Sequence, residues 1–391
     1  MTGDREPATT PSRATSASPD AVPATTPSGA TSGSPDAVPA TTPSGTTSGS
    51  PGAVPVRSSA LHEAPTAVLP RALPSTADPH DRLCEALAGV RAVLLDMDGV
   101  VVLRGRPIEG AGAAVASLRA RGIPFRFLTN SSLWSRDSLA ARLSGAGIVV
   151  AADEIVTALS ATAALAARRW HGRRLYVLAA PDGLREFDGQ WLIGDDEASA
   201  AARDESALGR NGSGLGPPQS AVARDGSAPV AAVIIGDAGP GFTYERLNIA
   251  FRLVRSGARL VAVHRNRWWL TPDGETIDSG AFVRALEYAC GRRSLLVGKP
   301  SPAFFFEALA SLWRAGGPVA GDPALDRRDV LMVGDDLQSD VAAARHVGLR
   351  GAFVLSGKHG PRDLELARRR GRQGLPDAVA PSLAEIVVAL G

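Results

Sequence analysis

The chain has 391 residues, 44% of them hydrophobic, and a formal charge of +2 with acids and bases interspersed; it is long enough for more than one domain with a sizeable core, and it carries neither the basic footprint of a nucleic-acid binder nor a membrane-surface stripe. Two cysteines, Cys84 and Cys290, exclude a disulfide framework and fit a reducing, cytoplasmic compartment. The first ten residues lack the charged start and apolar stretch of a secretory signal, and no apolar run approaches the length of a membrane-spanning helix.

Residues 1–80 are dominated by Ala, Thr, Pro, Ser and Gly, with A-T-T-P-S recurring at Ala8, Ala24 and Ala40. Proline at this density, with almost no large apolar residues, cannot offset chain entropy, so a disordered low-complexity tail is expected. Globular sequence begins near Asp81. Residues 93–100 read V-L-L-D-M-D-G-V, a buried-strand pattern that ends in Asp96 and Asp98. Side chains at i and i+2 of a strand point the same way, so both carboxylates emerge together, and Gly99 lets the chain turn sharply. Such a pair is unfavourable without a cation between them.

A helix is expected over 110–121, then a strand over 125–128 that runs into Thr129, Asn130, Ser131 and Ser132, a set of small donors. A further helix spans about 135–143, and an alanine-rich one over 154–170 leaves the first part of the core, 81–170. Residues 171–293 read as a second α/β region, with strands at 174–178, 230–235 and 260–264 and helices at 242–256 and 280–291. Within it, 195–228 is polar, glycine-rich and aperiodic, and reads as a disordered insertion. Its Gly212, Gly214 and Gly216 lack the flanking strand and helix that a phosphate-cradling loop needs. Arg265, Asn266, Arg267, Trp268 and Trp269 follow a strand; they suit either the binding of a substrate's leaving portion or a turn whose tryptophans are buried. His264 reads as structural.

The last part of the core, 294–391, opens on a strand, S-L-L-V-G-K-P, ending at Lys299, followed by a helix at 303–315. A strand at 330–333 then ends in Gly334, Asp335 and Asp336, with Asp340 four residues on. A helix over 340–347, a strand over 351–355 and a helix over 383–390 complete the chain. Of 42 basic residues only Lys299 and Lys358 are lysine, so lysine at a strand end suggests a need for a compact ammonium rather than a planar fork. Lys358, near Gly357, reads either as closing the site's edge or, by preference, as a solvated surface residue. Strands alternating with helices mean an α/β fold with a parallel sheet, and ligands of such sheets bind beyond the strands' carboxyl ends. Asp96 and Asp98, Thr129 and Asn130, Lys299, and Asp335 with Asp340 should therefore share one crevice.

In these four segments the chain resembles the haloacid dehalogenase superfamily of phosphotransferases, over roughly residues 91–390. The insertion between the second and third segments is similar to the large α/β cap of its subfamily IIA. Residues 247–270, 282–290 and 333–358 look like the phospholysine/phosphohistidine/inorganic pyrophosphate phosphatase subgroup. The resemblance implies a Rossmann-like parallel-sheet core (the HAD fold) with an inserted cap, and a magnesium-dependent phosphatase acting through an aspartyl-phosphate. It implies Asp96 as nucleophile, Asp98 as general acid and base, and Lys299 as the neutralising cation. Thr129, Asn130, Ser131 and Lys299 would hold the phosphate. Asp96, the Asp98 carbonyl and Asp335 would hold Mg2+, with Asp336 and Asp340 orienting ligands and waters. The expected partner is a small phosphorylated molecule, with no nucleic acid or membrane, and a homodimer through the cap is expected by the same resemblance. Alternatives are a non-hydrolytic scaffold of the same fold and a phosphotransferase to an alcohol.

Overall fold

The computed structural model describes residues 78–208, 228–271, 274–314, 326–369 and 374–391; nearly all of the expected tail, 1–80, lies outside the described residues. Helix α1 (Pro79–Leu87) starts slightly before the expected boundary, with Asp78 accepting from the His80 amide as its N-cap. There follow β1 (Ala92–Asp96), a short antiparallel hairpin of β2 (Val102–Leu103) and β3 (Arg106–Pro107), α2 (Ala111–Ala120), β4 (Phe125–Thr129) and α3 (Arg136–Gly145). The single helix expected over 154–170 is instead a strand, β5 (Ile155–Thr157), followed by α4 (Ala158–Arg169). Three β-branched residues gain a parallel partner in β4, which outweighs the helical pull of the alanines behind them. Thr157 closes the strand by capping the helix.

The second region contains β6 (Leu175–Leu178), α5 (Pro181–Leu184), α6 (Asp195–Leu208), β7 (Ala232–Ile235), α7 (Tyr244–Arg255), β8 (Arg259–Ala262), the hairpin β9 (Trp268–Thr271) and β10 (Gly274–Ile277), α8 (Ser279–Cys290) and β11 (Leu295–Leu296). The aperiodic reading of 195–228 fails over its first fourteen residues, which form α6. Asp195, Asp196 and Glu197 suit a helix's positive end, and its buried face is Ala198, Ala201 and Ala202, too small to register as an apolar period. Residues 209–227, with the glycine-rich run, lie outside the described residues. The chain returns through α9 (Pro302–Arg314) and β12 (Val330–Gly334). The helix expected at 340–347 then begins earlier, as a wide π-turn over Leu337–Ala342, before α10 (Ala343–His346). The rest is β13 (Arg350–Val354), α11 (Pro361–Arg369), β14 (Ala378–Ala380) and α12 (Leu383–Ala389).

Two parallel sheets result, in the orders β14-β13-β12-β1-β4-β5 and β11-β8-β7-β6. The Ser294–Pro300 segment therefore does not end a strand of the first sheet: Leu295 and Leu296 pair with Val261 and Ala262 in the second, and the expected boundary at 293/294 falls before an edge strand of that sheet. A short apolar run specifies a strand without specifying which sheet it joins.

All five residues of β1 are buried, as in a parallel strand covered on both faces. Val93 and Leu95 pack with α2, α3 and α12, whereas Ala92 and Leu94 face the other way, into a cluster shared with α4, α9 and one face of the second sheet. Tyr176, Leu178, Val233, Ile235 and Leu260 on that sheet's other face pack against α6, α7 and α8. In the first sheet β4 and β5 run to one side of β1 and β12, β13 and β14 to the other, so the direction of progression reverses between β1 and β12. Among the described residues no helix is long and apolar enough to cross a membrane.

Candidate active site

Asp96 is the last residue of β1 and Asp335 the first beyond β12, the two strands at which the sheet order reverses. Both are buried, as are Asp340 and Lys299. The Lys299 ammonium lies 2.6 Å from Asp96 Oδ1 and 2.8 Å from Asp340 Oδ1. Burial alone would lower the lysine's pKa, but Asp340 and Asp96 overcome that and hold it well above its ordinary range. Burial pushes Asp96 up to about 6, with Lys299 pulling down and Asp335 pushing up. It pushes Asp340 up to about 7, with the Asp96 charge adding to the effect and Lys299 opposing it. Asp335 is also raised, by burial first. Asp96, Asp335 and Asp340 each bring a carboxylate oxygen within 4.8 Å of the other two.

Glycines make this crowding feasible. Gly99 has a φ of 82°, and a Cβ on it would collide with the Asp335 carboxylate. Gly357 also lies against Asp335, and Gly334 lies against Asp340. Asp98 is exposed at the mouth, yet the enclosing crevice raises its pKa, with Lys299 and Lys358 opposing.

Thr129 ends β4 and is buried, its hydroxyl accepting from the Ser131 amide at 3.1 Å. The Asn130 side chain grips the Lys299 backbone, accepting from its N–H at 2.9 Å and donating to its carbonyl at 3.2 Å. Gly298 fits only because it has no Cβ, which would meet Asn130 Oδ1 and the Val263 carbonyl. Lys299 thus reaches the first sheet's strand ends from a loop that follows the second sheet, held in place by the amide of Asn130.

Residues 93–190 match the family model described as haloacid dehalogenase-like hydrolase, and residues 296–386 match one described as HAD-hydrolase-like. Human haloacid dehalogenase-like hydrolase domain-containing protein 2 is 32% identical over 282 residues, which cover 72% of this chain and 89% of that protein. The chain belongs to the haloacid dehalogenase-like hydrolases. Human phospholysine phosphohistidine inorganic pyrophosphate phosphatase is similar to it at 32% identity over 284 residues, 71% of this chain and 87% of that one. Among solved structures, p-nitrophenyl phosphatase from Archaeoglobus fulgidus superposes with a TM-score of 0.61 at 27% identity, covering 76% of this chain and all but 2% of its own.

In this hydrolase Asp336 is not a spare acid. Its carboxylate caps the π-turn, accepting from the Gln338 and Ser339 amides, and pairs with Lys358 at 2.7 Å. Burial would raise its pKa, but Lys358 and the two amides outweigh that and hold it far below the ordinary range. Lys358 is therefore no ordinary surface lysine, since its amide also donates to Asp335 Oδ2 at 2.7 Å. Sequence carried a signal for it: it is the second of only two lysines.

His264 is buried where the two sheets' loops meet. Its Nε2 is 3.0 Å from Ser132 Oγ, and the Asn266 amide approaches Nδ1 at 3.4 Å. Burial lowers its pKa, with Asp278 and Asp237 opposing. Sequence reasoning placed His264 as structural but did not find its companions Asp237, Asp278 and Ser279, which carry no short-range motif. In the cluster at 265–269, Arg265 turns away to Glu287 and Ser294. Asn266 lies at the edge of contact with Asn130, 3.5 Å between their amide groups. The tryptophans are not buried, since Trp268 is 53% and Trp269 39% exposed on the β9–β10 hairpin.

Proposed function

We propose that this hydrolase is a magnesium-dependent phosphatase that acts on a small phosphorylated metabolite through an aspartyl-phosphate. The observation that supports it most is the Lys299 ammonium held between Asp96 at the end of β1 and Asp340 in the turn that follows β12. Phosphoryl transfer is mostly positioning plus charge neutralisation. Asp96 attacks phosphorus in line, and the leaving oxygen departs with the Asp98 proton. A raised pKa at Asp98 favours the protonated form that this step needs. Asp98 then takes a proton from the water that attacks the acyl phosphate, which frees Asp96 and releases phosphate. Lys299 balances the charge shared by Asp96 and the phosphoryl group. Thr129, Ser131 and the backbone amide of Asn130 hold its non-bridging oxygens, while the Asn130 side chain keeps Lys299 in place.

An all-oxygen donor set with three clustered carboxylates and a single interposed ammonium fits a hard divalent cation. Asp96, the Asp98 carbonyl and Asp335 would hold Mg2+, which when bound supplies neutralisation of the phosphate's charge. Asp340 has Lys299 on one oxygen and the Asp336 amide on the other, which suits it to orienting its neighbours rather than binding metal. The relatives' names point to pyrophosphate, phospholysine or phosphohistidine and to p-nitrophenyl phosphate, and small phosphomonoesters fit this site equally. The region between β5 and β11 would serve as the cap, and its outer face as a dimer contact.

The test is phosphate release from p-nitrophenyl phosphate with and without Mg2+. Wild type is expected to be active only with metal, and Asp96→Asn to fall by about 10³-fold or more. Equal rates for the two proteins refute the assignment.

A further inference from the structure

We propose that Lys358 makes this site select substrates with a second negative group on the leaving portion, a carboxylate or another phosphate within a few bonds of the scissile one. This rests on the phosphatase reading above.

The first support is where Lys358 is anchored. Ser356 Oγ donates to the Gly99 carbonyl at 2.7 Å, and the Lys358 amide donates to Asp335 Oδ2 at 2.7 Å. Between them Gly357 lies so close to Asp335 that no Cβ fits. The backbone at 356–358 is thereby strapped across the turn carrying Asp98 and Gly99. The lysine's base is fixed at the crevice mouth, while its side chain is 58% exposed.

A second support is that the ammonium is not committed. Its partner Asp336 already accepts two backbone N–H groups, from Gln338 at 2.7 Å and Ser339 at 2.9 Å. Those bonds leave the carboxylate with two hydrogen-bond partners when the lysine turns away. The lysine side chain is 58% exposed although Asp336 is only 14% exposed, so Asp336 serves as a resting place from which the ammonium can turn to an incoming anion.

The third support is charge. Five carboxylates, Asp96, Asp98, Asp335, Asp336 and Asp340, share this crevice with two ammonium groups. Lys299 is buried and engaged with two of the acids. A leaving group with its own negative charge meets the remaining acids, and of the two ammonium groups Lys358 is the exposed one, anchored beside Asp335 and Asp336. It lies near enough to Asp98 to act on its charge, and Asp98 is the residue that hands a proton to the leaving oxygen. In a chain with 40 arginines, the use of lysine here fits a short, rotatable point charge rather than a rigid fork.

Matched substrates test this on the full-length protein with Mg2+. The first pair is 2-phosphoglycolate and 2-hydroxyethyl phosphate, which differ in a carboxylate; pyrophosphate against methyl phosphate reads the second-phosphate arm. In Lys358→Met the ratio of kcat/KM for the anionic over the neutral member is expected to fall about 10- to 100-fold in at least one pair, the scale of one charge-assisted contact. Lys358→Arg, which keeps the charge, should recover much of that ratio. The arm that falls identifies the recognised group. If both ratios stay constant, whether or not the absolute rates drop, Lys358 has no part in selection. If Lys358→Met is inactive on all four, the residue serves the chemistry in general and the inference is overturned. If wild type hydrolyses none of them with Mg2+, the phosphatase reading itself fails, which separates the two failures.

Discussion

The floor of the crevice and residues 265–269, its roof in the proposed function, are built on different physical terms. On the floor, buried ions are locked by backbone and glycine: Lys299 between two acids, Asp335 packed against Gly99 and Gly357. Over residues 265–269, by contrast, Arg265 is engaged to Glu287 and two tryptophans are open on a hairpin. Where charge must be placed to a fraction of an ångström, the fold surrounds it with close packing. On the β9–β10 hairpin it leaves two large side chains free of the core. The floor should therefore tolerate almost no substitution and the roof many.

Replacing Lys299 by Met is the severest way to break the floor. It leaves Asp96 and Asp340 buried without their cation, and activity with Mg2+ should fall by about 10²–10³-fold or more, together with a lower urea midpoint. Gly99→Ala tests close packing without touching a charge. A residue with a Cβ must adopt φ near 82° and displace Asp335; about 2–4 kcal/mol of stability should be lost by chemical denaturation. A loss below about 0.5 kcal/mol would mean that the site can relax around the intrusion.

The third prediction concerns protons. Asp96 and Asp340 have folded values of about 6 and about 7 against an ordinary 3.8, so the metal-free fold holds protons that the unfolded chain has released. Their contribution to stability is fully present below pH about 4 and is lost as pH rises through 6 to 7. Cations compete with those protons, so the Mg2+-induced rise in Tm should grow from pH 5 to pH 8. An equal rise at both values, or none, contradicts the charge arrangement described for the floor. The smallest effect is expected on the roof: Trp268→Ala should change stability by less than about 0.5 kcal/mol and act on KM rather than kcat for a bulky substrate. A loss of several kcal/mol would show that the hairpin is as rigid as the floor.

Much of this was legible in the sequence because chemistry and periodicity coincide in short segments. Asp96, Thr129 and Asp335 each end or follow an apolar run, and a parallel sheet carries such ends to one side. Other features were concealed for identifiable reasons. The buried face of α6 is alanine, so no period shows. Ile155–Thr157 is three residues ahead of a helix, too short to announce a strand. The partners of His264 come from three separate loops, and no local pattern links Ser132 with Asp237 and Asp278.

By itself the sequence determined which residues carry charge at strand ends, the α/β class and the family, since these depend on local hydrophobic pattern and on side-chain chemistry. Tertiary structure alone decided which sheet each strand joins, that Lys299 arrives from the second sheet and is held by Asn130, and that Lys358 stands at the mouth beside Asp336. The physical reason is that pairing partners and buried ion contacts are set by residues distant in the chain, whose meeting depends on how whole layers pack.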